Sequence, residues 1–374
     1  MVNVLQVDTT DRKLVREFLG LPFRLYAHTP QWVPPMAIDA GRYLDRRHPF
    51  YQHSEAAFFL AYEGERVVGR LAVLENRRYN DFNHEQAAFF SHFECEDDPP
   101  AAGALFGAAF DWAHKRGLKK IVGPKGFTAL DGMGLLVKGF EHRAAFGIAY
   151  NLPHYASLIE HAGFATQGEL VSGYMSPAAS FPARVDEVAE MVKRRRGLSV
   201  MRFSNRRELR RAIPALRALY NSSLNGTTGN TPLSEDDVNA MASQLEWFAD
   251  PRLIKIVMKG DQPVGFLLAY PDISAALQRT RGKLFPLGWL DMLLELKRTR
   301  WANINGAGIA DQYRGLGGTA LLFSEMHKSV VEGGYQHADI VQIGVENDKM
   351  QREMRDLGID FYKAHRIYER MLTE

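Results

Sequence analysis

Apolar and polar positions rhyme between two halves of the chain. In "FFLAYEGERVVGRLAVLEN" (58–76) and "IKIVMKGDQPVGFLLAYPD" (254–272), an apolar strand, a tight polar turn and a second apolar strand follow one another. Gly64 and Gly260 sit in the turns, and Val68-Gly69 and Val264-Gly265 open the second strands, so both stretches predict β-hairpins. Downstream in the first half, Ala88, Phe89, Phe90 and Phe93 suggest a strand. A helix follows from about Ala104 to Arg116, with Leu105, Ala109 and Trp112 on one face and a stop at Gly117. "KKIVGP" reads as a strand, "LPHYASLIEHAGF" as a helix stopped at Gly163, and "ELVSGYM" as a strand.

The second half repeats the order. "WANINGAGIA" reads as a strand, and a helix from about Leu316 to Val331 carries Leu322, Met326 and Val330 on one face. "ADIVQIGV" is a strand, "DKMQREMRDLG" a helix closing at Gly358, and "FYKAHRIYERML" the last strand. Each half therefore reads hairpin, strand, helix, strand, helix, strand, as an internal duplication would. Periodicity breaks in "SPAASFPARVDE", at Pro177 and Pro182, which sets the expected domains at 1–180 and 198–374.

Composition narrows the function. The 374 residues suffice for two cores, and a net charge of +2 gives no electrostatic reason to expect nucleic acid. The run "KRRR" at 193–196 reads as a solvated helix end. A single cysteine, Cys95, excludes an intramolecular disulfide and fits a reducing compartment. The amino terminus lacks the pattern of a signal peptide, and "LFPLGWLDMLLEL" is broken by Asp291 and too short to span a bilayer. The expectation is a soluble cytoplasmic protein without membrane contact. His48 and His53 in "YLDRRHPFYQH" have no ligand spacing around them, so no metal site is expected.

The densest chemistry is "DQYRGLGGTALLF" (311–323), glycine-rich between a strand and a helix. Helix-start amides lack intrahelical partners and carry partial positive charge, and glycine lets an anion approach them. The stretch is either a phosphate seat or a turn that only starts a helix. It has neither the Gly-Lys-Ser/Thr of a Walker loop nor the third glycine of a Rossmann fingerprint.

"QYRGLGGTALL" resembles the pyrophosphate loop, Gln/Arg-x-x-Gly-x-Gly/Ala, of the GNAT-type acyl-CoA N-acyltransferases. "VENDKMQREMRDLGIDFYKAHRIYERML" resembles that family's closing strand, helix and strand, and "GFTALDGMGLLVKGF" (126–140) resembles a segment of bacterial two-domain GNAT-like proteins. The resemblance implies an α/β fold of two tandem GNAT-like domains, each a mixed, mostly antiparallel sheet flanked by helices. It implies acetyl-CoA or another acyl-CoA as co-substrate and a small-molecule or peptide amine as acceptor, and it leaves the oligomeric state open. Gln312, Arg314, Gly315, Leu316, Gly317, Gly318 and Thr319 match the pyrophosphate loop, Gly308, Ile309 and Ala310 the strand beside the pantetheine arm, and Asn347 the asparagine near the thiol. Met354 stands where the family often has a tyrosine as general acid, and Tyr362 or Tyr368 is a substitute or an ordinary strand aromatic. Glu346 is the first candidate for the base and Asp311 the second.

The matching place in the first half, "ECEDDPPAAGALFG" (94–107), brings four carboxylates and two prolines, which would repel a pyrophosphate and remove amide donors. The 123–151 insertion with six glycines carries Asp131, which either orients an amine or caps a turn. It is expected to wall an acceptor site between the domains. The insertion "LQRTRGKLFPLGWLDMLLELKRTR" (277–300) is read as a helix packed on the core with basic flanks in water, the alternative being an interfacial helix. The leading expectation is N-acyltransfer. A non-catalytic acyl-CoA-binding or sensing protein is the alternative, and aminoacyl or peptidyl transfer from a larger donor a third reading.

Overall fold

The hairpins form where the alternation places them. In the computed structural model, residues 1–128, 131–176, 181–223 and 249–372 are described, with isolated positions between 232 and 239. Ala129, Leu130 and the Pro177 break fall outside the described residues. The first half runs β1 (Val2–Gln6), α1 (Arg12–Leu25), α2 (Ala37–Ala40), β2 (Glu55–Glu63), β3 (Arg66–Glu75), α3 (Arg77–Asn83), β4 (Ala87–Cys95), α4 (Pro99–His114), β5 (Lys120–Gly123), β6 (Leu135–Lys138), α5 (Tyr155–His161) and β7 (Ala165–Met175). The second runs α6 (Ala183–Arg196), β8 (Leu198–Met201), α7 (Arg206–Ser223), β9 (Ile254–Lys259), β10 (Gln262–Pro271), α8 (Ser274–Thr280), α9 (Gly288–Arg298), β11 (Trp301–Ile309), α10 (Gly318–Glu332), β12 (His337–Gly344), α11 (Asp348–Asp356) and β13 (Asp360–Met371).

The chain folds into two units that interleave along the sequence. One comprises Met1–Leu170, Ser274–Trp289 and Lys363–Glu374, the other Val171–Ile273 and Leu290–Tyr362. In the first unit the strand order is β1-β2-β3-β4-β5 followed by the end of β13, with β6 also on β13. Tyr368 pairs with Gly123, and Arg366 with Leu135. The carboxyl-terminal half of the last strand thus completes the first unit's sheet, and β6 lies inside what reads as a loop in the sequence. The second unit's order is β7-β12-β11-β10-β9-β8. The sheets are mixed and mostly antiparallel, with parallel pairs at β4–β5 and β11–β12. Each of those pairs is bridged by a helix, α4 or α10, whose buried face joins the core beneath it.

Two sequence readings change. α4 starts five residues before Ala104, because Asp98 caps the Ala101 amide and Pro99 and Pro100 occupy positions where no amide donor is needed. The insertion helix α9 is not packed on the core by its apolar stripe. Met292 is its buried residue, whereas Trp289, Leu290, Leu293 and Leu294 are exposed.

The first unit holds two imidazoles, His365 buried and His92 half-buried, whose surroundings favour the neutral ring. Burial, with Arg70 and Arg42 nearby, pushes His92 down to about 3. Burial pushes His365 down to about 4, and its Nε2 lies 3.2 Å from the Ala149 carbonyl. Unfolded histidines bind protons near pH 6.5, so the stability these groups confer is present above that pH and lost as pH falls toward their folded values. Unfolding free energy should fall by about 1.4 kcal/mol per pH unit per histidine near pH 5. Urea titrations between pH 7 and 5 check this, and a flat profile refutes it.

Candidate functional site

The two units carry the same junction in the same register, filled by side chains in the first. In the first, Gly69 pairs with Cys95 at the end of β4, and the Glu96 amide donates to the Val68 carbonyl. In the second, Gly265 pairs with Ile309 at the end of β11, and the Ala310 amide donates to the Val264 carbonyl at 2.9 Å. Cys95 and Ile309 are therefore equivalent positions, each just before the turn into a helix.

The first junction is filled by the protein's own side chains. The Tyr155 hydroxyl accepts from the Cys95 amide at 3.2 Å and donates to Glu94 at 2.8 Å, and the His154 ring meets the Cys95 carbonyl at 3.0 Å. Glu94 is half-buried beside Arg70 and also accepts from the Tyr26 hydroxyl. Burial raises its pKa, and the Arg70 guanidinium opposes that shift. Glu96 is held by Arg24 and Arg66, and Asp98 caps α4. The four carboxylates expected to repel an anion are largely structural anchors, with the edge of β4 sealed by α5.

At the second junction no such seal is found among the described residues. β11 and β12 pair in register from Trp301↔His337 to Ile304↔Ile340, yet β11 continues to Ile309 and β12 to Gly344. Beyond Ile304 and Ile340 the parallel strands part, and Gln342 on the β12 side has a left-handed φ of 52°. At the mouth, Gly308 pairs with Phe266, and Gln312 lies in a short turn over Asp311–Tyr313. Arg314 is held by Asp311 at 2.8 Å, and its Nε donates to the Ile309 carbonyl at 3.3 Å. Gly315 and Gly317 have φ of 75° and 86°, which glycine alone adopts without strain. A Cβ at Gly317 would stand 2.5 Å from Val192 Cγ2, whereas at Gly315 it would meet open space. Gly317 is the N-cap of α10 and offers no side chain, so the amides of Gly318, Thr319 and Ala320 start the helix uncapped by a side chain. Leu316 and Thr319 are half-buried beside them.

On the sheet face of Trp301, Asn303 and Asn305, polar groups line up where the strands begin to part. Asp339 is buried and accepts from the Tyr362 hydroxyl at 2.8 Å. Asn303, paired with Asp339 across the strands, donates to buried Asp272 at 2.9 Å. Asn305 donates to the Tyr270 hydroxyl at 2.8 Å. Trp301 stacks on His337 at 4.4 Å, and the His337 ring meets the Tyr174 hydroxyl at 2.7 Å. Burial, followed by the Asp339 carboxylate, raises the Tyr362 phenol far above its ordinary value, so it remains a proton donor. Burial, with Arg300 nearby, lowers His337 and favours its neutral ring.

The sequence candidates separate accordingly. The loop residues from Gly308 to Thr319 form one continuous mouth, and Tyr362 joins Asp339 in the same unit. Glu346 is exposed, and its carboxylate folds back over Gly344, where a Cβ would stand 2.6 Å from it. Asn347 caps α11 by accepting from the Met350 amide at 3.1 Å. Met354 is fully buried in the second unit's core. In the first unit, Asp131 accepts from Arg42, the Tyr43 hydroxyl, and the Thr128 amide and hydroxyl. Sequence reasoning passed over Asp272, Asn303 and Asp339. The signal was an acidic or amide residue inside an otherwise apolar strand, as in "ADIVQI".

Fold and junctions together define a class: the chain has the tandem GNAT fold, and it aligns over 100% of its length with 99% of a tandem GNAT protein from the clavulanic acid biosynthesis pathway, at a TM-score of 0.57 and 13% identity. Among curated proteins it is 28% identical to Bacterial ceramide synthase of Caulobacter vibrioides, covering 96% of this chain and 95% of that one. It is 26% identical to Protein YghO of Escherichia coli, covering 96% and 93%. No protein-family model matches the chain. Among the described residues no cluster of side chains suited to a metal ion occurs, and no helix is long and apolar enough to cross a membrane.

Proposed function

We propose that the second unit binds an acyl-CoA at its junction and transfers the acyl group to the amine of a long-chain amino alcohol. The observation that carries the reading is the contrast between the junctions: the same strand edge is sealed by Tyr155 and His154 in one unit and, among the described residues, left unsealed before an uncapped helix in the other. The nature of the acceptor is supported by the likeness to Bacterial ceramide synthase, a ceramide being the fatty amide of such an amine.

In the proposed reaction the ammonium of the acceptor loses one proton to water and attacks the thioester carbon. A C–N bond forms and the C–S bond breaks. Asp339 takes the second proton from nitrogen, the thiolate takes one from the Tyr362 hydroxyl, and Tyr362 is recharged from Asp339 across their 2.8 Å hydrogen bond. The products are the amide, free CoA thiol and one released proton. Glu346, the first candidate for the base in the sequence, stands second to Asp339 in this reading, as an exposed carboxylate just beyond β12. The non-catalytic acyl-CoA-binding reading has one specific observation behind it, the burial of Met354 where an acid is expected.

Thiol release from acetyl- and palmitoyl-CoA, with and without a long-chain amino alcohol, tests the reading, with the amide identified by mass spectrometry. CoA binding without amine-dependent release would favour the non-catalytic reading. Thr319→Glu probes the seat. A carboxylate in the first turn of a helix suits the helix dipole, so the fold is retained. Close to a pyrophosphate it should weaken CoA binding roughly 100-fold, or about 2.7 kcal/mol. Unchanged affinity by calorimetry would remove the anion seat.

A further inference from the structure

α9 and the segment that leads into it expose an apolar surface. Six large apolar side chains lie exposed within ten residues: Phe285 at 79%, Leu287 at 68%, and Trp289, Leu290, Leu293 and Leu294 at 37–43%. The last four fall at i, i+1, i+4 and i+5, which is one stripe of the helix, opposite buried Met292. Arg281 and Lys283 stand exposed before the stripe, and Lys297, Arg298 and Arg300 after it. From 279 to 300 there are six basic residues against two acidic ones, Asp291 and Glu295, both half-buried. The segment is also anchored. Gly282 accepts from the Ala37 amide, Gln278 donates to the carbonyls of Pro30 and Trp32, and Arg281 lies over the Phe23 ring at 5.1 Å.

We infer that this segment docks the protein on the surface of an anionic lipid bilayer, with α9 lying in the interfacial plane. Apolar area in one exposed stripe, a tryptophan among it and cations at both ends form the pattern by which a helix inserts between headgroups while its basic residues meet lipid phosphates. The flanking charge is what selects a charged bilayer over a neutral apolar partner. The helix is eleven residues long, too short to cross. The inference does not depend on the acyl-transfer reading, since docking needs neither acyl-CoA nor acceptor.

Sedimentation of the full chain with phosphatidylcholine vesicles, with and without phosphatidylglycerol, tests it. Binding is expected with the anionic vesicles and should be largely lost at high salt. The double variant Leu290→Glu/Leu294→Glu should lose at least tenfold in vesicle affinity, as should Lys297→Glu/Arg298→Glu. These side chains are solvent-exposed, so the variants are expected to keep the parent's circular dichroism and melting temperature. Failure of the parent protein to sediment with anionic vesicles overturns the inference. So does retained binding by both folded variants, or a self-association, measured by analytical ultracentrifugation, that Leu290→Glu/Leu294→Glu abolishes while the parent ignores vesicles.

Discussion

Asp339→Asn is expected to lower kcat between 100- and 10,000-fold while leaving the affinity for CoA within about twofold of the parent, the span a positioned general base commonly supplies. The argument rests on place and partners. Asp339 is buried one residue before β11 and β12 part, on the sheet face that carries Asn303, and its carboxylate holds the Tyr362 hydroxyl. Asparagine keeps the shape and can still accept from Tyr362, so the fold and the glycine loop should persist. What it loses is the capacity to take a proton. A purely structural role would leave the pH profile intact, so the decisive readout is the acidic limb of kcat against pH, present in the parent and absent from the variant. Tyr362→Phe should lower kcat as well and keep that limb. Glu346→Gln, a change to an exposed carboxylate, should cost less than tenfold. If Glu346→Gln carries the large loss and Asp339→Asn does not, the base is Glu346 and the reading of the polar face is wrong.

Local features of the fold were legible because local rules set them. The two hairpins, the glycine loop and the helices after it follow from alternation, turn residues and period, each within about a dozen positions. β6 was not legible: its four residues pair with β13, more than 200 positions away, and nothing nearby marks them. The exposure of α9 was hidden for a different reason. An apolar stripe reads identically whether it faces a core or solvent, and only the burial of Met292 on the other side reveals which face the protein uses. The site was half legible. Glycines at 315 and 317 are demanded by backbone conformation and therefore appear in the sequence as a motif. Asp339 stands out in the sequence as an acidic residue in an apolar strand, but its partner Tyr362 is set by tertiary structure.

Tyr368→Ala is expected to destabilise the protein by about 3–5 kcal/mol, the range for emptying a large aromatic site in a core. Tyr368 is fully buried, although only six residues of the sequence follow it. Its ring belongs to the first unit's core with Phe90, Ile121, Tyr155 and Phe164, and its backbone pairs with Gly123 of β5. Its hydroxyl donates to Glu160 at 3.2 Å, an interaction with a half-exposed carboxylate. Tyr368→Phe removes only that bond and should cost about 1 kcal/mol, which separates packing from hydrogen bonding. Deleting residues 363–374 goes further: β5 and β6 lose the strand they pair with, and unpaired backbone groups join the lost apolar contacts. That truncation should leave the first unit unable to fold cooperatively, although every residue removed is distant in sequence from the strands it completes. Urea unfolding of Tyr368→Ala and Tyr368→Phe, followed by tryptophan fluorescence and circular dichroism, provides the measurement. A loss below 1 kcal/mol for the alanine variant, or a truncated chain that unfolds with the parent's midpoint and slope, would mean that the first unit stands without the end of β13.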